Sequence, residues 1–476
     1  MNTQACASLL NDFRMTVPKG TDLAADLIGK GASFDGPYGK KEIVYADYVA
    51  SGRALMSVER FVLEKVLPFY ANSHTEASFC GGFMTRLRNQ ARAVIAAHCG
   101  ADEGHAVIFS GSGATAGLNR LVRLMGADLG RVKIIIGPYE HHSNILPWRE
   151  SGAEVIELPE SSTGGPDMHA LETALKDVAS YDRVICSFSA ASNVTGIIAD
   201  VKGITRRVKA AGAKIVWDYA GGGPYLPISM SLAEGAEIDA MVFSPHKFIG
   251  GPGASGVLII RRDAVVSDRP TWVGGGTVRF VSSQTHDYSQ DLEHREEAGT
   301  PNVIGDIRAA LAVIVKEQIG QDVMTRRNRE LSQRAMTVLQ DAPMIDLLGL
   351  KDVDRLPILS FRVRHPQGGF LHQQLATKIL SDRYGIQARG GCACAGPYVL
   401  RLLGVDNVAQ KLREEILDGN EMEKPGFVRL NLSVLMTDGE VDFILRSILS
   451  LSEEAARYVG DYQVDSARAI FTAKAA

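Results

Sequence analysis

The chain is poor in cysteine, in charge of one sign and in long apolar runs, and each shortage excludes a class of protein. Six cysteines in 476 residues (Cys6, Cys80, Cys99, Cys186, Cys392 and Cys394) are too few for a disulfide framework. A reducing cytoplasm is the expected setting. The net charge of −4, with a pI near 6.3, gives no electrostatic footprint for nucleic acid or an anionic membrane as the main partner. The longest apolar runs, such as AALAVIV at 309–315, fall far short of the roughly 20 residues a membrane-spanning helix needs. The first residues, MNTQACASLLNDFRM, lack a basic stretch leading into an apolar one, so no secretion signal is expected. There is no internal repeat and no low-complexity tract.

What remains is an ordinary globular composition, 45% hydrophobic and 22% charged. The length implies two domains, or one large α/β domain with an appendage. Between 105 and 260, short Val/Ile-rich runs alternate with amphipathic segments. HAVIFS (105–110), VKIIIG (132–137), RVICSFS (183–189), KIVWDYA (214–220), AMVFS (240–244) and GVLIIRR (256–262) predict strands. Segments 113–126, 171–179 and 201–212 predict helices. Strands alternating with helices argue for an α/β fold with a mostly parallel sheet covered on both faces. Such sheets bind ligands beyond the carboxyl ends of their strands. Residues 270–300 read as extended loop, 302–320 as a long helix, and the chain after 330 as a smaller C-terminal α/β domain containing the strand PILSFRV (357–363). The expected division is a large domain at 41–325, a small one at 326–476, and an N-terminal segment, 1–40, packing on the small domain.

Four elements near predicted strand ends carry the chemistry. FSGSGATAGLN (109–119) turns on glycine from a strand into a helix. Its free N–H groups and positive helix end suit phosphate, although an ordinary βα turn looks the same. FSPHKFIGGPG (243–253) places Lys247 after a strand end, with Ser244 and His246 beside it. A lysine there is a candidate Schiff-base former if its pKa is lowered; otherwise it is a surface loop lysine. Asp218 ends the apolar run VWD. A buried carboxylate at that place needs a partner, and a pyridinium nitrogen is one. EHHSNILPW (140–148) offers histidines able to stack on a flat ring or shuttle protons. Their adjacency points them apart and no further ligand cluster follows, so no metal is expected.

Together with YADYVASGRAL (45–55), SNVTG (192–196), EEAGTPN (296–302) and VRLNLSVLMTDGEVD (428–442), these motifs resemble fold type I pyridoxal-phosphate enzymes of the class V aminotransferase family, and within it the cysteine desulfurases. The resemblance runs from about 40 to 455. It implies a seven-stranded-type sheet, pyridoxal 5′-phosphate held by Lys247, and Asp218 on the pyridine nitrogen. It also implies His141 stacked on the ring, Asn193 near the phenolic oxygen, and Ala114, Thr115, Ser244 and His246 at the phosphate. Enzymes of this kind are mostly homodimers. WVGGGTV (272–278) resembles the segment that reaches the neighbour's phosphate, with Thr277 the candidate residue. The family pattern has Gln three positions after the aspartate; this chain has Gly221.

ARGGCACAGPY (388–398) bears on the reaction. Desulfurases carry a carboxylate-clamping Arg with a nucleophilic Cys five positions later, and Arg389 and Cys394 keep that spacing. The planar fork of Arg suits a carboxylate. Arg429 aligns with a second carboxylate-contacting Arg, or supports the loop. An unperturbed thiol, pKa about 8.5, is mostly protonated at neutral pH, and sulfur attack needs the thiolate. Cys392 is a bystander, a resolving thiol, or half of a metal or polysulfide site. GCACAG and the long stretch to Arg429 resemble the desulfurase domain of molybdenum cofactor sulfurases, although no further cofactor-binding domain is expected in a chain of this length. The implied reaction takes sulfur from L-cysteine or a similar amino acid, leaves it as a persulfide on Cys394, and passes it to an acceptor protein or small molecule. The alternatives are selenocysteine lyase, C–S lyase, epimerase or aminotransferase chemistry on the same scaffold, or a non-catalytic sulfur carrier, against which the intact Lys247, Asp218 and His141 speak.

Overall fold

The computed structural model describes residues 3–73 and 75–474. At its centre lie seven strands: β1 (His105–Gly111), β2 (Val132–Ile136), β3 (Glu154–Glu157), β4 (Arg183–Ser189), β5 (Lys214–Asp218), β6 (Ala240–Phe243) and β7 (Gly256–Arg261). They lie in the order β1-β7-β6-β5-β4-β2-β3. The strands from β6 to β3 are parallel, and β7 runs antiparallel to both its neighbours. The sheet is therefore mostly parallel, as the Val/Ile runs predict. The sequence reading passed over β3, a four-residue edge strand with no fully buried position.

Side chains alternate across the sheet, as strand geometry requires. Ile135, Trp217, Met241 and Ile259 enter one apolar core, and Ile134, Val216, Val242 and Leu258 enter the other. The first face is covered by α1 (Thr3–Thr16), α2 (Phe79–His98) and α4 (Val303–Ile319); the second is covered by α3 (Gly113–Leu124). The run AALAVIV is the middle of α4 and is buried throughout, which explains a stretch apolar on every side.

A second, smaller sheet follows α5 (Gln321–Leu339). It contains β8 (Ile345–Leu347), β9 (Ile358–Val363), β10 (Arg389–Gly391) and β11 (Phe427–Asn431), in the order β8-β9-β11-β10 and wholly antiparallel. Helices α6 (Gln373–Tyr384) and α9 (Asp438–Val459) back it, the latter opened by a reciprocal capping box between Thr437 and Glu440. Between β10 and β11 the chain forms α7 (Gly396–Leu403) and α8 (Ala409–Leu417).

Two expectations need correction. The N-terminal segment does not pack as one piece on the smaller unit. Leu10, Phe13 and Val17 form an apolar stripe at helical spacing and join the core under α2 and α4, with the Phe13 and Phe61 rings 5.2 Å apart. The part that reaches the smaller unit includes Lys30, 3.4 Å from Glu440, and the hairpin at 33–42, where the Tyr38 hydroxyl donates to Asp461 at 2.8 Å. Nor is 270–300 all extended loop. Strands Val278–Val281 and His286–Tyr288 pair as a hairpin, and Leu292–Glu296 is a short helix. Ser282 closes that turn by accepting from the Thr285 N–H at 3.0 Å, a connection without the Gly or Asn that makes hairpins readable.

Candidate active site at the carboxyl edge of the sheet

The parallel strands bring Ser189, Asp218 and the 244–247 turn to one edge, and the turn after β1 lies beside them because β7 pairs Gly256 with Gly111. The start of α3 is cramped. Gly113 has φ +63°, and a Cβ there would lie 3.0 Å from both Ser244 Oγ and His246 Cε1. Only glycine fits this turn. The Ala114 N–H donates to Ser244 Oγ at 2.9 Å, so this amide, expected at a phosphate, is already used by the hydroxyl. Thr115 Oγ1 lies 2.7 Å from Ser143 Oγ, which lies 3.0 Å from His141 Nδ1. Thus the α3 turn, Ser244, His246 and the EHHSN segment form one continuous polar cradle.

Lys247 is half-buried, and the removal of its amine from water pulls its pKa down to about 8. Asp218, Arg429, Cys394 and Arg389 act on it electrostatically, so all five groups converge. Asp218 is buried and its carboxyl is pushed up by desolvation; its Oδ1 accepts from the Ala220 N–H at 2.7 Å. Burial and then the nearby Lys247 amine push His141 down to about 4, so its ring is neutral near pH 7. The Ser143 N–H donates to His141 Nδ1 at 3.1 Å, which assigns the ring proton to Nε2. These features fit pyridoxal phosphate: a glycine-cramped, hydroxyl-lined anion cradle, an amine of lowered pKa, and a buried carboxylate able to meet a pyridinium.

Not every expected residue takes its expected partner. Asn193 Nδ2 donates at 2.8 Å to the Ala393 carbonyl, holding the cysteine loop rather than standing free for a ring oxygen. Thr277 is fully buried, and its hydroxyl donates to the Gly274 carbonyl at 2.7 Å, within its own loop and apart from this cradle. At Gly221, a Cβ would lie 3.2 Å from the Ala191 carbonyl, so the larger residue of the family pattern needs a shift of that segment.

The two arginines sit directly opposite each other on β10 and β11. Asp47, which the sequence reading did not single out, bridges them. Its Oδ2 lies 3.0 Å from Arg389 Nε and 2.9 Å from Arg389 Nη2, and its Oδ1 lies 3.3 Å from Arg429 Nη2. Arg389 remains largely exposed and can turn its outer edge to a substrate carboxylate. Arg429 is buried and also donates to the Asn193 carbonyl at 3.1 Å, a supporting arrangement; its Nε is unpartnered among the described residues.

Cys394 is exposed, at the tip of a tight turn in which Ala393 (φ 51°) and Cys394 (φ 54°) are both left-handed. Such residues cost about 1–2 kcal/mol each, and their surroundings must hold them. The His142 N–H donates to the Cys394 carbonyl at 2.8 Å, and His142 Nε2 accepts from the Gly396 N–H at 2.9 Å. Hence the second histidine of EHHSN grips the cysteine turn while the first faces the cradle. Glu140, also missed from sequence, is wholly buried and pushed up to about 7 by desolvation. It accepts from Ser189 Oγ and Asn144 Nδ2, both at 2.6 Å, and so anchors the segment to β4. Cys392 is half-buried against the cluster of Tyr139, Val194 and Tyr398.

The sequence pattern of the family described as aminotransferase class-V matches residues 44–444. This chain belongs to that family. Among its relatives, a probable cysteine desulfurase of Aeropyrum pernix is 30% identical over 369 residues, covering 75% of this chain and 86% of that one. A cysteine desulfurase of Pectobacterium atrosepticum is 28% identical over 417 residues, covering 85% and 92%. Among solved structures, the apo cysteine desulfurase of Thermococcus onnurineus NA1 superposes with a TM-score of 0.75 at 25% identity, over 92% of this chain and 99% of that one. The class V member described here thus shares its fold with that enzyme over 92% of its own length.

Proposed function

We propose that this chain is a pyridoxal-phosphate-dependent cysteine desulfurase, converting L-cysteine to L-alanine and carrying the sulfur as a persulfide on Cys394. The observation that carries this reading is the exposed Cys394, held on a strained, hydrogen-bonded turn within electrostatic reach of the Lys247 amine. The names of the relatives agree with it. Members of this family use pyridoxal phosphate, and the cradle fits that group. When bound, the cofactor supplies an electron sink for charge developing at the substrate Cα.

The chain's own residues do the rest. Lys247 holds the cofactor and, once free, moves the Cα proton, a task suited to an amine of pKa about 8. Asp218 holds charge at the ring nitrogen. His141 presents a neutral face and its Nε2–H, while Ser244, His246 and Thr115 hold the phosphate. Arg389 binds the substrate carboxylate, with Arg429 and Asp47 fixing its position. The Cys394 thiolate attacks the substrate sulfur; the substrate Cβ–S bond breaks, an S–S bond forms, and protons returned to carbon complete alanine.

The same reading includes a homodimer. The loop around Thr277 exposes Trp272, Val273, Phe280 and Val281, an apolar patch that a second copy can cover. A cytoplasmic setting suits an exposed thiol that must stay reduced. Among the described residues no helix is long and apolar enough to cross a membrane.

The test is to supply L-cysteine and a reductant to the cofactor-loaded protein and measure alanine and sulfide together. Equal amounts, both lost in Cys394→Ala, are expected. Alanine-free turnover that survives in Cys394→Ala would replace this reading with other class V chemistry.

A further inference from the structure

Cys394 has two sides. Its turn leans back on His142 and Asn193, toward the Lys247 amine. Together with Cys392 and Arg389, Cys394 also lines a cavity of about 630 Å³ beneath α7 and α8. That volume lies within the range of small-molecule sites, roughly 300–1,000 Å³. Val399, Leu400, Leu412, Ile416 and Leu417 give it an apolar wall. Its rim carries four cations, Arg389, Arg413, Lys424 and Arg468, against the single carboxylate Glu421. Arg389 is tied to Asp47 and Lys424 to Glu421. Among the described residues Arg413 and Arg468 have no carboxylate partner, and both are exposed.

An apolar wall, two guanidinium groups without carboxylate partners and an exposed thiol in one open cavity specify an occupant. The geometry points to this cavity as the acceptor site, taking a low-molecular-weight thiol with an apolar body and an anionic group, which is charged with sulfur at Cys394. This rests on the desulfurase reading and adds the chemical class of the acceptor. The transfer needs no outside oxidant. The acceptor thiolate attacks the terminal sulfur of the Cys394 persulfide, a new S–S bond forms on the acceptor, and the old S–S bond breaks with Cys394 leaving as thiolate. One sulfur atom moves and the total oxidation level is unchanged. Guanidinium groups suit the anion because they form paired, charge-assisted hydrogen bonds with carboxylate or phosphate.

The experiment charges the cofactor-loaded protein with ³⁵S-labelled L-cysteine to one alanine per chain, removes free cysteine, and chases with 4-mercaptobenzoate or the neutral 4-mercaptobenzamide at matched thiolate concentration. Release of label should saturate with mercaptobenzoate, and the acid should outpace the amide by about tenfold, the gain expected of a charge-assisted contact. In Arg413→Ala/Arg468→Ala the two thiols should become equal within about twofold while the alanine burst is retained. Saturation in the unmodified protein tests the site without any variant. Equal rates for the two thiols, rising linearly with concentration, would overturn the acceptor site, as would label that leaves only to an added protein. Absence of the alanine burst would instead remove the desulfurase reading itself, and the acceptor site with it.

Discussion

The His142 main chain and ring both hold the turn that carries Cys394: the N–H donates to the Cys394 carbonyl at 2.8 Å, and Nε2 accepts from the Gly396 N–H at 2.9 Å. The left-handed pair Ala393–Cys394 is thereby tied to the segment that also supplies His141 to the cofactor cradle. One six-residue stretch, from Glu140 to Ile145, thus ties the proposed nucleophile to the proposed cofactor cradle.

His142→Ala removes the acceptor of the Gly396 N–H. The cost to stability is expected to be about 1–3 kcal/mol, that of orphaning a half-buried donor. Alanine formation from L-cysteine should fall about tenfold because the thiol loses its aim. Visible absorbance of bound cofactor should be unchanged, and His142→Gln, whose side-chain oxygen can accept the same bond, should recover part of the loss. Parallel loss of cofactor and activity would place His142 in the cradle instead.

Asp47→Ala leaves Arg429 buried without its carboxylate. Removing one partner of a buried pair costs about 3–5 kcal/mol. The midpoint of denaturant unfolding should fall accordingly, with Asp47→Asn intermediate. The Michaelis constant for L-cysteine should change more than the turnover number in Asp47→Asn, since the carboxylate positions Arg389 rather than meeting reacting atoms. An unchanged unfolding midpoint in Asp47→Ala would rule out the bridge.

Lys247 sets a pH dependence for cofactor capture. Only the neutral amine attacks an aldehyde, and burial lowers its pKa to about 8. The initial rate of pyridoxal-phosphate uptake by the cofactor-free protein should rise about tenfold per pH unit below that value and level off above it. The visible spectrum follows this directly. A rate still climbing toward the ordinary lysine value of 10.5 would show that the amine is not desolvated.

Lys316 sets one for stability. Its buried amine donates to the Gly223 carbonyl at 2.7 Å and to the Leu226 carbonyl, pinning the segment after Asp218, and burial lowers its pKa to about 7. The unfolded chain keeps that proton up to the ordinary value of 10.5. The folded state therefore binds one proton fewer between those two values. This group's contribution to stability grows with pH across the window and is lost as pH falls through about 7. Denaturant unfolding of Lys316→Met should show a flatter pH profile there than the unmodified protein. Identical profiles would show that Lys316 stays charged.

Local cues made the sheet and the cradle legible. Val/Ile runs mark β1, β2, β4, β5, β6 and β7, and Lys247, Asp218 and His141 follow strand ends or turns. The remainder depends on contacts between distant segments. Asp47 acquires its role only when β10 and β11 set Arg389 and Arg429 opposite each other, and nothing near YADYVAS announces that. His142 reads as the twin of His141 until the cysteine turn folds onto it. Glu140 looks like an exposed loop acid, yet it is enclosed by Ser189 and Asn144. The N-terminal segment is expected on the smaller unit, and nothing local in it announces that Leu10, Phe13 and Val17 join the core of the large sheet.

The most direct test of the central claim is the fate of the Cys394 sulfur in the first turnover. Cofactor-loaded protein is mixed with L-cysteine, without reductant, and the peptide containing Cys392 and Cys394 is weighed and fragmented by mass spectrometry. One added sulfur atom on Cys394, formed in step with one alanine per chain and absent in Cys394→Ser, is the predicted result. Alanine appearing while Cys394 remains an unmodified thiol would contradict the account.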